Sequence, residues 1–212
     1  MGIVKGRSIC DHCETRISWF DNIPLISFIF LKGKCRNCGK RISLRYPLIE
    51  LATGLIFVFS GANILALLLL VVLEIIFIID LEHQIIPDAI IFWGIAISAL
   101  IFLTADVSVF PPALAGFLSA IFLLLIHLIS RGRAMGLGDV KFAVLGGMVV
   151  GLKLAAIWLF LAFLTGAVAG IILILVKRAG LKDKIAFGPF LVGSIPLTVL
   201  WGEKIITLIG LR

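Results

Sequence analysis

Beyond Tyr46-Pro47 the chain is almost continuously apolar, broken only by short polar or glycine-containing stretches. Apolar runs that approach the roughly 20 helical residues needed to span hydrocarbon read as membrane helices. Seven such helices are predicted, at about 47–60, 63–80, 87–103, 111–130, 139–151, 153–176 and 187–209. The first and fifth are short, and Gly151-Leu152-Lys153 reads as either a kink or a loop. The first 46 residues differ: they are polar and basic, and their one apolar stretch, residues 23–31, is too short to cross a bilayer. That stretch reads as an interfacial or packed segment. The expected architecture is an all-α polytopic membrane protein of about seven membrane helices, residues 47–212. A small cytoplasmic region, residues 1–46, precedes it.

Composition narrows the class. With 212 residues, 61% of them hydrophobic, 15% charged and a mean hydropathy of +1.21, the chain carries more apolar surface than a soluble domain of this size can bury. No early apolar core marks a secretory signal, and no internal repeat is evident. Charge then sets the orientation. If residues 1–46 are cytoplasmic and each helix crosses once, the stretches 81–86, 131–138 and 177–186 face the same side. Sixteen of the 19 Lys and Arg then fall on that side or at its border, leaving Lys153, Lys204 and Arg212 elsewhere. Such an asymmetry is the positive-inside pattern.

The four cysteines form two knuckles, Cys10-x-x-Cys13 and Cys35-x-x-Cys38, 21 residues apart. Four thiolates at this spacing suit tetrahedral Zn²⁺ with no open position, which makes the site structural and the location reducing. The competing reading is four unrelated buried thiols. His12 lies inside the first knuckle but is not needed while four cysteines are at hand. Lys5, Arg7, Lys34, Arg36 and Lys40 would offset the negative charge of a thiolate site.

Two acids at helix edges carry the candidate chemistry. Asp80 closes the run LVVLEIIFIID, and Asp139 follows Gly136-Leu137-Gly138 and opens the next apolar run. A carboxylate at a bilayer rim is costly and asks for a reason. The crossing count puts both at the cytoplasmic border, where close carboxyls can share a proton as in an aspartyl protease. One, ionised, would take a proton from water while the other polarises the scissile carbonyl; the pair titrates as a unit, so roles are not assigned between them. Gly136 and Gly138 would let a peptide backbone approach closely. The plainer readings are a helix cap for Asp139 and a polar span end for Asp80. Asp88, after Pro87, reads as an early-helix acid, and Glu74 as a packed or functional intramembrane acid.

The ordered set of motifs resembles the type IV prepilin peptidase family of bacterial inner-membrane enzymes, and the likeness covers nearly the whole chain. It comprises the paired cysteine knuckles, Ser18-Trp19-Phe20-Asp21-Asn22-Ile23-Pro24-Leu25-Ile26-Ser27 and Arg41-Ile42-Ser43-Leu44-Arg45-Tyr46-Pro47-Leu48-Ile49-Glu50-Leu51. It continues through Asp80-Leu81-Glu82-His83-Gln84-Ile85-Ile86-Pro87-Asp88, Met135-Gly136-Leu137-Gly138-Asp139-Val140-Lys141 and Phe187-Gly188-Pro189-Phe190. The resemblance implies an aspartyl endopeptidase, Asp80 and Asp139 catalytic, that removes the basic leader of type IV prepilins or pseudopilins at the cytoplasmic membrane face. It implies membrane lipid as surroundings and no nucleic-acid partner. Many members also methylate the new N-terminus with S-adenosylmethionine, for which Asp21, Asn22 and Glu50 are the candidates.

The family usually carries a further membrane span before the first cysteine pair. Nine residues precede Cys10, so that span is expected to be absent from this chain, and with it part of the support for methyl transfer. Two other readings stand beside the first. One is a Gly-x-Gly-Asp membrane protease acting on preflagellin-like or transmembrane substrates. The other is a non-enzymatic, zinc-containing membrane scaffold for pilus assembly.

Overall fold

In the computed structural model, residues 8–61, 63–177, 180 and 185–210 are described. Lys5, Arg7, Arg178, Lys182, Lys184 and Arg212, used in the charge argument, lie outside them. Two compact units divide the chain, residues 1–62 and 63–212.

The first unit opens with two small antiparallel pairings, Ile9 with Arg16 and Lys34 with Arg41, each closing over a cysteine pair. A 3-10 turn, Trp19–Asn22, and a one-turn helix α1, Ile26–Phe30, lie between them. The apolar segment at 23–31 is therefore only partly helical. Helix α2, Arg45–Phe59, ends the unit.

The second unit is a bundle of six helices: α3 (Ile64–His83), α4 (Asp88–Thr104), α5 (Phe110–Ile129), α6 (Leu137–Val150), α7 (Ala155–Leu175) and α8 (Gly188–Ile209). Asn63 starts α3, its side-chain oxygen accepting from the Leu65 and Ala66 N–H groups at 3.0 and 3.1 Å. Pro111 and Pro112, and later Pro189, sit in the first turns of α5 and α8, where a missing N–H leaves no hydrogen bond unmade.

Each of the seven stretches expected from hydropathy contains a helix, but they are not seven equal spans. Four, α3, α5, α7 and α8, are long and apolar enough to cross a membrane, and α4 is a shorter apolar helix. These make the chain an integral membrane protein. Helices α2 and α6 have 15 and 14 residues, about 22 and 21 Å at 1.5 Å per residue. Gly151 has a positive φ of 78° and terminates α6, so the stretch that follows is a turn rather than a kink.

Helix α6 is short because it is the core. Eight of its 14 residues are buried, which fits a helix apolar all round and surrounded by others. It packs on α4, α5, α7 and α8. Against α5 the approach is backbone to backbone. A Cβ at Gly147 would stand 2.7 Å from both the Ala115 carbonyl oxygen and the Gly116 Cα, and one at Gly116 would collide with the Val144 carbonyl. Small residues at a helix crossing permit this closeness inside a membrane. On another side Trp158 of α7 is fully buried against Phe142, ring centroids 6.4 Å apart. Its Nε1–H donates to the Leu191 carbonyl of α8 at 2.9 Å, so one side chain ties three helices.

Gly147→Val should therefore force α5 and α6 apart, a severe overpacking. The expected result is a thermal midpoint in detergent lowered by several degrees or a loss of folded protein, read by thermal-shift and size-exclusion measurements.

Candidate active site and metal centre

Five helix ends of the second unit gather at one end of the bundle. Asp80 lies in the last turn of α3, which runs three residues further than expected, to His83. Gln84 then takes a left-handed conformation (φ 54°) and returns its N–H to the Asp80 carbonyl at 2.9 Å, so the chain turns sharply into Ile86 and Pro87. Buried Ile86 packs on the glycine turn before α6: a Cβ at Gly138 would lie 3.3 Å from that of Ile86. At the start of α4, Asp88 accepts from Lys141 Nζ on both carboxylate oxygens at 2.7 Å. From α5, His127 Nδ1–H donates to the Met135 carbonyl at 2.7 Å and fixes the loop leading to that turn.

Both acids make contact with helix N-termini. The Asp80 carboxylate, only 4% exposed, accepts from the Gly188 N–H at the first residue of α8, 2.9 Å away. Asp139 does not open its helix. It lies in the first turn of α6, half-buried, and its Oδ2 accepts from the Gly136 N–H at 3.2 Å. A carboxylate at the positive end of a helix, with a backbone N–H to accept from, is the favourable arrangement for such a charge. The two carboxyls lie within Coulombic reach of each other. Gly136 and Gly138 both precede Asp139, and Gly136 is exposed.

In the first unit the four cysteine Sγ atoms converge within 4.8 Å of one another. Tetrahedral zinc with Zn–S bonds of about 2.3 Å sets sulfurs about 3.8 Å apart, so the cluster fits such an ion after small adjustments. The knuckles are built alike. Cys10 N–H donates to the Thr15 carbonyl at 3.0 Å, and Cys35 N–H to the Lys40 carbonyl at 2.8 Å. The residue after each second cysteine, Glu14 or Gly39, has positive φ. This short repeat of conformation is hidden in the sequence because a glutamate stands where the other knuckle has glycine. The Thr15 hydroxyl, 3.0 Å from Cys13 Sγ, is the main cause lowering that thiol from 9.0 to about 6, toward the thiolate a metal binds. His12 is not part of the cluster.

Asp21, Asn22 and Glu50 line one cleft of about 830 Å³ in this unit, together with Cys10 and Cys35. Asp21 receives a two-pronged contact from Arg36, 2.7 Å to Oδ1 and 2.9 Å to Oδ2, which holds its carboxyl below the usual 3.8. Arg36 also sits over the Phe20 ring, 5.3 Å from its centroid. Asn22 donates to the Ser8 hydroxyl at 3.2 Å, and Glu50 accepts from the Leu25 N–H at 2.8 Å.

The sequence reading did not find Gly188, Ile86 or the Asp88–Lys141 pair as parts of one site. A weak signal existed for two of them, since Gly188 and Asp88 each stand beside a proline at a helix start.

Two acids brought to one end of an apolar helical bundle are compatible with a membrane-embedded peptidase. Comparison with known proteins agrees. Residues 1–64 match the bacterial peptidase A24 N-terminal domain, and residues 65–171 match the type IV leader peptidase family. The two matches meet close to the boundary between the compact units. Prepilin leader peptidase/N-methyltransferases are similar over most of their length. That of Legionella pneumophila is 32% identical, covering 97% of this chain and 76% of the relative. That of Aeromonas hydrophila is 36% identical over 96% and 74%, and that of Bacillus subtilis 30% identical over 98% and 86%. No solved structure matches. The chain belongs to the type IV leader peptidase family.

A side chain at position 188 has no room, because its Cβ would lie 2.5 Å from Asp80 Oδ2. Gly188→Ala should displace the Asp80 carboxyl or the start of α8, destabilising by about 1–3 kcal/mol as overpacking does. Thermal-shift measurement in detergent reads the loss.

Proposed function

We propose that this protein cleaves the leader peptide from type IV prepilins or pseudopilins at the cytoplasmic face of the bacterial inner membrane, with Asp80 and Asp139 as its catalytic pair. The observation that carries this reading is the meeting of the two acids at one end of the bundle, within Coulombic reach. One carboxylate takes a proton from water, and the other, protonated, donates to the scissile carbonyl oxygen. Asp139, half-buried beside the exposed Gly136, suits the side open to water and to an extended peptide. Asp80, buried under Gly188, suits a fixed partner. The sixteen-to-three bias of basic residues supports a cytoplasmic site. The relatives' names support prepilin substrates.

Residues 47–212 would form the membrane-embedded peptidase and residues 1–46 a region organised by structural zinc on Cys10, Cys13, Cys35 and Cys38. Methyl transfer from S-adenosylmethionine to the new N-terminus is the second activity, suggested by the names of the relatives. Its site in our reading is the 830 Å³ cleft, a size suited to a small-molecule cofactor. When bound there, S-adenosylmethionine supplies the methyl group. Asp21 and Glu50 are committed to Arg36 and to the Leu25 N–H, so they shape the cleft rather than act as free bases.

Cleavage of a purified prepilin tests the first activity. Intact protein should release the leader, whereas Asp80→Ala and Asp139→Ala should each lose at least about 10³-fold in rate while remaining folded, a loss within the range typical of triad or dyad members. Normal cleavage by either variant removes the two-aspartate mechanism, whereas intact protein that does not cleave favours the scaffold reading. A second measurement addresses the metal and the cleft together. Cys35→Ser should lower bound zinc from about one per chain and abolish transfer of labelled methyl, while leader cleavage persists.

A further inference from the structure

We propose that Asp88 and Lys141 form a clasp that sets the spacing of the two carboxyls, acting as positioning residues for the cleavage reaction. The inference rests on the peptidase reading above.

Helix α3 packs on α4 and α8, and α6, whose main neighbour is α5, packs on α4 and α8 as well, whereas the two acid-bearing helices scarcely touch each other. Something must therefore fix Asp139 relative to Asp80. One brace is the Gly188 N–H of α8, but it holds Asp80 alone. The other runs along the chain. From Asp80 the chain turns at Gln84, buries Ile86 against Gly138 and reaches Asp88 at the first residue of α4. Asp88 grips Lys141 at 2.7 Å on both oxygens, and Lys141 lies two residues beyond Asp139 in the same helix. The clasp thus closes a short circuit: eight residues from Asp80 to Asp88, the ion pair, and two residues back to Asp139.

Stability does not account for the pair. Its side chains are 51% and 54% exposed, and exposed ion pairs add little to folding. Position is another matter, because a displacement of about 1 Å at a reacting centre can cost on the order of 10²-fold in rate. A pair that is weak in stability and close to the site in geometry should therefore show itself in turnover.

Kinetics on a purified prepilin with Asp88→Asn, Lys141→Met, the double variant and Lys141→Arg test this, beside intact protein and Asp80→Ala. Each neutral single variant should lower kcat about 10–100-fold with KM within about twofold and an unchanged thermal midpoint. The double variant should be no slower than the slower single, and Lys141→Arg, which can still reach Asp88, should keep most of kcat. Singles that turn over at the intact rate overturn the clasp. So does a raised KM at constant kcat, which would make Asp88 a contact for a basic leader, and so do losses that multiply in the double variant. If either neutral variant fails to fold, Lys141→Arg decides: it must fold and retain kcat, or the clasp falls. Intact protein that does not cleave overturns the peptidase reading instead, and Asp80→Ala that does cleave overturns the two-aspartate pair.

Discussion

Holding two carboxyls near each other in an apolar bundle is the constraint on which the site depends. Each acid needs a polar partner that remains when the surroundings offer none, and a backbone N–H at a helix N-terminus supplies it. Asp80 takes its partner from α8 and Asp139 from the turn that starts α6. Neither partner is a side chain that could rotate away. The same choice explains why glycine stands at both places: at 188 a Cβ would strike the carboxylate, and at 136 it would lie 3.2 Å from Asp139 Oδ2. An anion held by backbone requires the backbone to come close, and glycine lets it.

The second constraint is mechanical. Because α3 and α6 meet chiefly through other helices, the spacing of the two acids depends on the packing of the whole end of the bundle. Helix α6 is suited to that task. It is buried over eight of its 14 residues, locked to α5 through Gly116 and Gly147, and set against α7 and α8 by Trp158. A helix whose middle is packed against protein in this way need not match the bilayer thickness. Its shortness then has a use: Asp139 can lie in the first turn of a core helix and still be half-exposed at the rim.

Much of this was legible in the amino-acid order, for identifiable reasons. Apolar runs bounded by polar residues located all seven larger helices, because a bilayer leaves few other ways to satisfy a backbone. Alternation of crossings with basic residues put Asp80 and Asp139 at the same end. The cysteine spacing gave the cluster in the first unit, since two knuckles of four residues bring their thiols together whatever lies between. What stayed hidden was whatever depends on distant segments meeting. The Gly188 N–H reaches Asp80 across 108 residues, and Lys141 reaches Asp88 across 53, with no periodicity to announce either. For α6, expected as a short helix at about 139–151 and found at Leu137–Val150, hydropathy located the helix without distinguishing lipid from protein as the cause of its apolarity. Asp139 looked like a helix opener because the Gly-Leu-Gly before it reads as a loop, whereas Leu137 already belongs to the helix.

The first unit poses the opposite problem from the second. Among its described residues only Pro47 and Ser60 are buried. Its helix α1 is a single turn, and its two pairings are isolated bridges. A segment of this size without a core ordinarily needs a staple, and its four cysteines form no disulfide. Four converging thiols offer the alternative. Binding energy from a structural metal becomes folding energy when the apo region cannot hold its own shape. The cleft that Asp21, Asn22 and Glu50 share is walled in part by Cys10 and Cys35. If those cysteines hold a metal, the ion and the cleft share the same walls, and what loosens one should loosen the other. The bundle, with its own core, has no such dependence, and its chemistry should survive where the cleft's does not.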